Sequence, residues 1–416
     1  MSQYDAIVIG GGPSGSTASA LLAEYGHKVL LLEREPFPRY HIGESLIPYT
    51  WFTLNRLGVV DWLKQSACPK KYSVQFVSIT GKVSQPFYFF QTIMHECAQT
   101  WQVFRGEFDQ MLLDNAVKKG VELRQFVTVR DVLMEGSRVV GVRADTKDGV
   151  KGEEIRAKVV IDATGRDSLL SRKFGWKDKD ADLNKIAVWS YFEGAMRDPG
   201  LDEGATTVAY VPQKGWFWYI PLHSNIVSVG VVGEPSYLYR DTRDPDTIFH
   251  REANACAWIR DHISHGKQVE PVRVTGEYSY HSKQIGGDGF CLVGDAFAFL
   301  DPLFSTGVFL ALKSGEMAAD TIHAALTSGD GQVNAGHMDD YLASQRRAVM
   351  SFRQLVRAFY DLSFSFREFL QVYPHLNSLI VDTLVGNVFT DLTPLFNALE
   401  EYKAKNPRRE IDVTTA

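Results

Sequence analysis

Three sets of residues in this 416-residue chain have the types and spacing to do chemistry. Gly10, Gly12 and Gly15 fill the three glycine places of G-x-G-x-x-G in IGGGPSGS, and Glu33 closes the later run KVLLLE. The first glycine permits a tight turn, the second lets backbone approach a pyrophosphate, and the third lets a helix lie close to its strand. With Pro13 and Ser14 opening that helix, the phosphates would meet the positive end of its dipole, and Glu33 would take both ribose hydroxyls. A ligand so held carries adenosine and a diphosphate. The second set centres on Lys71 in CPKKYSVQF, where strand alternation puts Lys71, Ser73 and Gln75 on one face and Tyr72, Val74 and Phe76 on the other. A lysine in a desolvated cavity loses basicity and either donates a hydrogen bond or reacts as an amine; Lys70 is the rival. The third set is Ser305-Thr306-Gly307, directly before a helical pattern running from about Val308 to Leu326. Backbone N–H groups at such a helix start bind an anion without any charged side chain.

These residues need elements to position them. YDAIVI (4–9), a helical pattern from about Ser14 to Tyr25 and KVLLLE form a β-α-β unit. AKVVIDATGRDS (157–168) and GFCLVGDA (289–296) are later apolar strands ending in Asp162, Thr164 and Gly165 and in Gly294 and Asp295. An Asp at the carboxyl end of a parallel strand points into the ligand crevice, so Asp162 and Asp295 are both expected there. Residues 69–90 and 186–234 alternate as strands, through IAVWSYFEG, TTVAYVP, WFWYIP and VSVGVVGE. Their interleaving predicts an α/β chain with a nucleotide domain (1–68, 91–185 and 275–330), an inserted β-sheet domain (69–90 and 186–274) and a helical region (331–416). In the last, one helical pattern runs from about Met338 to Tyr373, with Phe352, Leu355, Phe359, Leu362, Phe366 and Phe369 three and four apart. Pro374 interrupts it, two amphipathic segments follow, and the tail KNPRREIDVTTA reads as frayed.

Composition narrows the class. At 45% hydrophobic and 23% charged the chain is globular, and its length calls for two or three structural units. A net charge of −6 with no basic run argues against nucleic acid as a partner. The start MSQYDAIVIGGG lacks a signal-peptide pattern, and no run approaches the roughly 18 apolar residues of a membrane span, so a cytoplasmic protein is expected. Cys68, Cys97, Cys256 and Cys291 lie far apart without a CxxC pair, which predicts small buried thiols and no metal site.

The two late returns to the nucleotide domain resemble the FAD-dependent monooxygenase superfamily. That resemblance implies FAD, with the ribityl and pyrophosphate portion held at Asp295, and flavin contacts from Arg39, Glu44 and Ser45 in PRYHIGESLIP and from Arg105 in VFRGEFDQMLL. Two further motifs are narrower. Trp216, Trp218, Ile220 and Pro221 fit W-x-W-x-I-P, and Phe299, Pro302, Ser305 and Gly307 fit F-x-x-P-x-x-S-x-G. Together they resemble the flavin-dependent halogenases, from Met1 to about Gly329 and more loosely beyond. The resemblance implies a Rossmann-type FAD-binding domain with an inserted β-sheet substrate domain and a C-terminal helical region. It also implies chloride or bromide on the amides of Thr306 and Gly307, with Pro302 and Gly307 beside the flavin. Reduced FAD from a separate flavin reductase and O2 would convert the halide to hypohalous acid. Lys71, in a match to K-x-x-V-x-F, would then direct halogenation of an electron-rich ring, while Trp216 and Trp218 wall off the flavin.

One departure bears on substrate. Tryptophan halogenases carry Glu immediately before Ser-Thr-Gly, and here that place is Phe304, which becomes a pocket or flavin-shielding residue. The branch acting on pyrroles or phenols manages without the carboxylate, and many of its members take rings tethered to an acyl carrier protein. Chloride or bromide, pyrrole or phenol, free or tethered stay open at this point. A FAD-dependent aromatic hydroxylase of the same fold, and a flavin-binding protein without turnover, are the other readings.

Overall fold

The structure is a computed structural model and describes residues 3–211, 215–276, 279–361 and 364–406. YDAIVI is apolar on both faces, as a strand inside a covered parallel sheet must be. Tyr4–Ile9 accordingly lies between Val29–Glu33 and Glu153–Asp162, parallel to both, with Ile9 opposite Asp162. Phe290–Leu292 extends the sheet parallel to Glu153–Asp162, and Glu122–Gln125 extends it beyond Val29–Glu33. The hairpin Thr128–Glu135/Arg138–Asp145 joins through the start of Glu153–Asp162. Helix Pro13–Glu24 begins at Pro13, one residue ahead of the sequence expectation, because proline suits a position whose N–H has no helical partner. It crosses the long helix Gly307–Thr327 at close range: a Cβ on Gly315 would stand 2.4 Å from the Ser14 carbonyl oxygen.

The second sheet draws on residues from 73–88 and 186–275. Its order is Lys267–Gln268, Ile186–Glu193, Ile226–Gly233, Gly215–Pro221, Thr206–Val211, Ser73–Val77, Phe87–Tyr88, with Arg273–Thr275 also on Ile186–Glu193. Pairing is antiparallel except where Thr206–Val211 meets Ser73–Val77. All seven residues of Gly215–Pro221 are buried. Phe217 and Tyr219 pack with Phe249 and Trp258 of the outer helices, while Trp216, Trp218 and Ile220 form the opposite layer. That layer packs with Ile42, Phe104, Phe299, Leu303 and Phe359.

Two expectations change. The run 69–77 is not one strand: Lys70–Lys71 pairs with Thr100–Trp101, and Ser73–Val77 joins the second sheet. The alternation survives the break at Tyr72, with Lys71, Ser73, Gln75 and Val77 buried and Tyr72, Val74 and Phe76 half-buried. The long C-terminal helix ends at Tyr360, where Asp361 turns extended, and a new helix, Phe366–Val372, starts under the Ser365 side chain, which accepts from the Glu368 N–H. Leu362 and the tail from 407 lie outside the described residues. Asn377–Val385 and Thr393–Lys405 complete a helical layer around Leu355, Phe369, Ile380, Leu395 and Tyr402. All four cysteines are buried and free. Among the described residues no helix is long and apolar enough to cross a membrane.

Candidate active site

The turn after the first strand is built by exclusion. Gly10 has φ +105°, and a Cβ there would stand 2.4 Å from the Ala163 carbonyl oxygen. A Cβ on Gly15 would lie 2.0 Å from the Gly10 carbonyl oxygen, so only glycine lets the helix sit this close. Gly12 is different: a Cβ there meets only Arg39 Nη2, at 3.4 Å, and otherwise opens into a cavity. The buried Glu33 carboxylate accepts from Gly11 N at 2.7 Å and Glu35 N at 2.9 Å, which fixes it at the strand end.

That cavity, about 1280 Å³, runs from Gly10, Gly12, Pro13, Ser14 and Glu33 to Trp216 and Trp218. Arg39, Glu44, Ser45, Arg105, Asp295, Pro302 and Gly307 line it as well. Arg105 is no surface ion: it is 6% exposed and grips Asp109 with two hydrogen bonds of 2.8 and 2.9 Å, while Nη1 donates to the Ile42 carbonyl. Arg39 stands 3.6 Å from the same carboxylate. Burial pushes the Asp295 carboxyl up to about 6, against the lowering pull of Arg166, Arg105 and Lys177. Asp162 does not share this wall. Its oxygens accept from Thr164 N and Oγ1 and from Leu170 N, so it ties down the turn after its strand.

The indoles form the far wall. Trp218 stands opposite Gly230, where a Cβ would fall 2.2 Å from its ring; the missing side chain makes the slot. Its Nε1 donates to Ser228 Oγ at 3.0 Å, and Trp216 Nε1 donates to Tyr360 Oη at 2.8 Å. Tyr360 in turn donates to Asp301, whose other oxygen caps Leu303 N, so the C-terminal helix braces the loop leading to Ser305. Ser305 adopts left-handed backbone, φ +56°, and turns the chain into helix Gly307–Thr327. Gly307 faces the cavity, whereas Thr306 is buried beside it. Phe304 does not line the cavity; its ring meets Phe359 edge-on at 6.5 Å.

Lys71 is wholly buried and Lys70 is exposed. Its Nζ donates to Ser45 Oγ at 2.8 Å and to the Leu46 carbonyl at 3.1 Å, over the Phe89 ring. Burial alone lowers it to about 7. The amine does not line the cavity but stands behind Ser45, which also pairs with Thr206 Oγ1 at 2.8 Å; both hydroxyl residues do line it.

Comparison with known proteins decides the family. The tryptophan halogenase family matches residues 5–102 and 77–366. The chain belongs to the tryptophan halogenase family. This halogenase is 31% identical over 410 residues to a 1H-pyrrole-2-carbonyl-[peptidyl-carrier protein] chlorinase of Pseudomonas fluorescens, covering 93% of this chain and 90% of that one. It is 31% identical over 412 residues to the corresponding brominase of Pseudoalteromonas luteoviolacea, covering 97% and 98%. Its structure resembles the flavin-dependent brominase Bmp2, with TM-score 0.87, 29% identity and coverage of 97% and 99%. The FAD-dependent chondrochloren halogenase CndH follows at TM-score 0.81 and 32% identity, covering 99% and 92%. The protein is thus a flavin-dependent halogenase, and its cofactor is FAD.

The residues fit that cofactor. Gly12 leaves open space at the helix start, Glu33 is anchored at the strand end, and the halogenase cavity exceeds the roughly 300–1,000 Å³ of small-ligand pockets. Residues missed from sequence include Asp109, Tyr40, Tyr191 and Thr206. Asp109 had a local signal, four residues after Arg105 on one helix. The others carried none, because their partners are remote in the chain.

Proposed function

We propose that this halogenase installs chlorine or bromine on an electron-rich ring, a pyrrole carried as a thioester on a carrier protein, with Lys71 directing the attack. The carrying observation is Lys71 itself: a wholly buried amine with no carboxylate partner among the described residues, one hydroxyl away from the cavity. The end-to-end match to carrier-protein pyrrole halogenases supports the substrate class. Residues 1–68, 91–185 and 275–330 form the FAD-binding part on this reading, 69–90 and 186–274 cover the substrate side, and the described helices of the 331–416 region cap both.

When bound, FAD reduced by a separate reductase supplies, with O2, the oxidising equivalents for making hypohalous acid. The chain does the rest. Gly12, Pro13 and Ser14 hold the diphosphate, Glu33 the ribose, and Arg39, Glu44, Ser45, Arg105, Asp295 and Pro302 the remaining length. The amides of Thr306 and Gly307 hold the halide at a helix start. Trp216 and Trp218 exclude water and keep the ring from the flavin. Lys71, near neutrality between its two protonation states, donates a hydrogen bond to the oxidant or carries the halogen as an amine.

The test is mass spectrometry of turnover with FAD, a reductase, NADH, O2 and chloride or bromide. Free phenols and pyrroles are offered beside pyrrolyl- and hydroxybenzoyl-loaded carrier proteins. A halogen isotope pattern on the pyrrolyl carrier is expected; oxygen gain indifferent to halide would return the hydroxylase reading. A second prediction isolates the halide. A Cβ on Gly307 meets nothing within 4 Å, so Gly307→Val should fold normally and crowd the anion. The halide concentration for half-maximal halogenation should rise about 2–30-fold, the value of a helix-start interaction, while flavin oxidation continues. An unchanged halide dependence would remove these amides from the site.

A further inference from the structure

Glu44 has chemistry that the flavin contact does not use. It lines the cavity yet is 2% exposed, and only one of its oxygens is engaged. Oε1 accepts from Tyr191 Oη at 2.7 Å, while Oε2 has no hydrogen-bond partner of ordinary geometry. Tyr191 Oη lies 3.0 Å from Tyr40 Oη, and Tyr40, at the cavity mouth, is 46% exposed. The direction of this chain is set at its inner end. The Tyr191 proton is committed to Glu44, so in the phenol pair Tyr191 accepts and Tyr40 donates, while Trp189 Nε1 donates to Tyr40 Oη at 2.7 Å.

Halogenation has a proton demand in this cavity. Halide gives up two electrons and reduced flavin two more, O2 takes four to become two waters, and the ring releases its C–H proton. Summed for neutral reduced flavin, one further proton is consumed per turnover. We infer that Tyr40, Tyr191 and Glu44 form a relay that brings that proton from solvent into the flavin cavity. Solvent protonates Tyr40 Oη as its O–H proton passes to Tyr191, the Tyr191 proton passes to Glu44 Oε1, and the proton on Oε2 leaves into the cavity. Each O–H bond broken is replaced, and no electron moves. The relay rests on the reading that this cavity holds FAD.

The surroundings suit a carboxyl that changes state. The Arg105 guanidinium and the Ser228 hydroxyl face it and favour its charged form, but Asp109 already occupies Arg105. Burial outweighs both and raises Glu44 to about 7. Arg273 lies over the Tyr40 ring at 4.0 Å.

The test uses the FAD-loaded enzyme without turnover, at pH 6, carrying 13C-labelled glutamate. The carboxylic C=O band of Glu44, identified by its loss in Glu44→Gln, is followed by infrared on mixing into D2O. Tyr191→Phe should slow its exchange by about 10²-fold, the lower end of what a positioned proton donor contributes, and Tyr40→Phe should slow it as well. Halogenation by both variants should fall in kcat with FAD affinity unchanged, whereas in FAD-free protein all forms exchange rapidly through the open cavity. Exchange in Tyr191→Phe as fast as in the parent, with the band moved by FAD, overturns the relay alone. A band that FAD does not move overturns the cavity assignment and the relay with it.

Discussion

Lys71→Met should give a folded protein that binds FAD, halogenates nothing measurable and resists urea better than its parent near pH 6. Losing a group that holds or transfers the reacting species costs about 10²–10⁴-fold in rate. The stability gain follows from where the amine sits. For a base, a folded value of about 7 against the ordinary 10.5 means that folding must strip or desolvate a charge. The penalty is absent above about pH 10.5, grows as pH falls toward 7, and is full below it. Its ceiling is on the order of 5 kcal/mol. The hydrogen bonds to Ser45 and Leu46 offset about 0.5–1.5 kcal/mol each, so methionine should gain a few kcal/mol at pH 6 and lose about 1–3 kcal/mol above pH 10.5, where only the hydrogen bonds are forfeited. Urea midpoints at the two pH values measure this. Full halogenation in the variant would return the role to Lys70, which is exposed.

Gly15→Ala should nearly abolish FAD binding and lower stability, whereas Gly12→Ala should weaken FAD binding alone. At Gly15 the new methyl meets backbone, 2.0 Å from the Gly10 oxygen and 3.0 Å from Ala163 Cβ, and neither can swing aside. The helix must lift from its strand, costing about 1–3 kcal/mol or more and moving the amides proposed to hold the diphosphate. At Gly12 the methyl enters open space that the cofactor needs, so the FAD-free protein should melt as the parent does. Thermal denaturation with and without FAD separates the two. Equal destabilisation of the FAD-free proteins would contradict the contact geometry.

The glycine turn was legible because close backbone contact at Gly10 and Gly15 admits only one residue type, and three glycines at fixed spacing leave little else to read. The faces of the lysine strand were legible from alternation, but the break at Tyr72 was not, since it depends on Thr100–Trp101 arriving alongside Lys70–Lys71. Asp162 and Asp295 looked equivalent at their strand ends. Only the fold shows Asp162 taken by the amides of Thr164 and Leu170. Tyr191 reaches Glu44 across 147 residues, a pairing with no local periodicity. The helix end at Tyr360 was hidden because the apolar spacing continues through it, while the extended turn at Asp361 and the Ser365 cap are local polar choices.

The placement of sulfur has a consequence for how long such a catalyst survives. An enzyme that generates electrophilic halogen makes a reagent that attacks its own side chains, and sulfur reacts by its exposure and its thiolate content. All four cysteines are buried, and burial pushes the Cys97 thiol up to about 11 and Cys291 to about 12, so neither is ionised at neutral pH. Met94, by contrast, is 97% exposed. By exposure the Met94 thioether, whose sulfoxide is repairable and would sit outside the core, is the more open target than the thiols, whose oxidation goes on to irreversible acids. Among the described residues, the sulfur most open to such a reagent is thus a thioether, and the thiols lie beneath the surface.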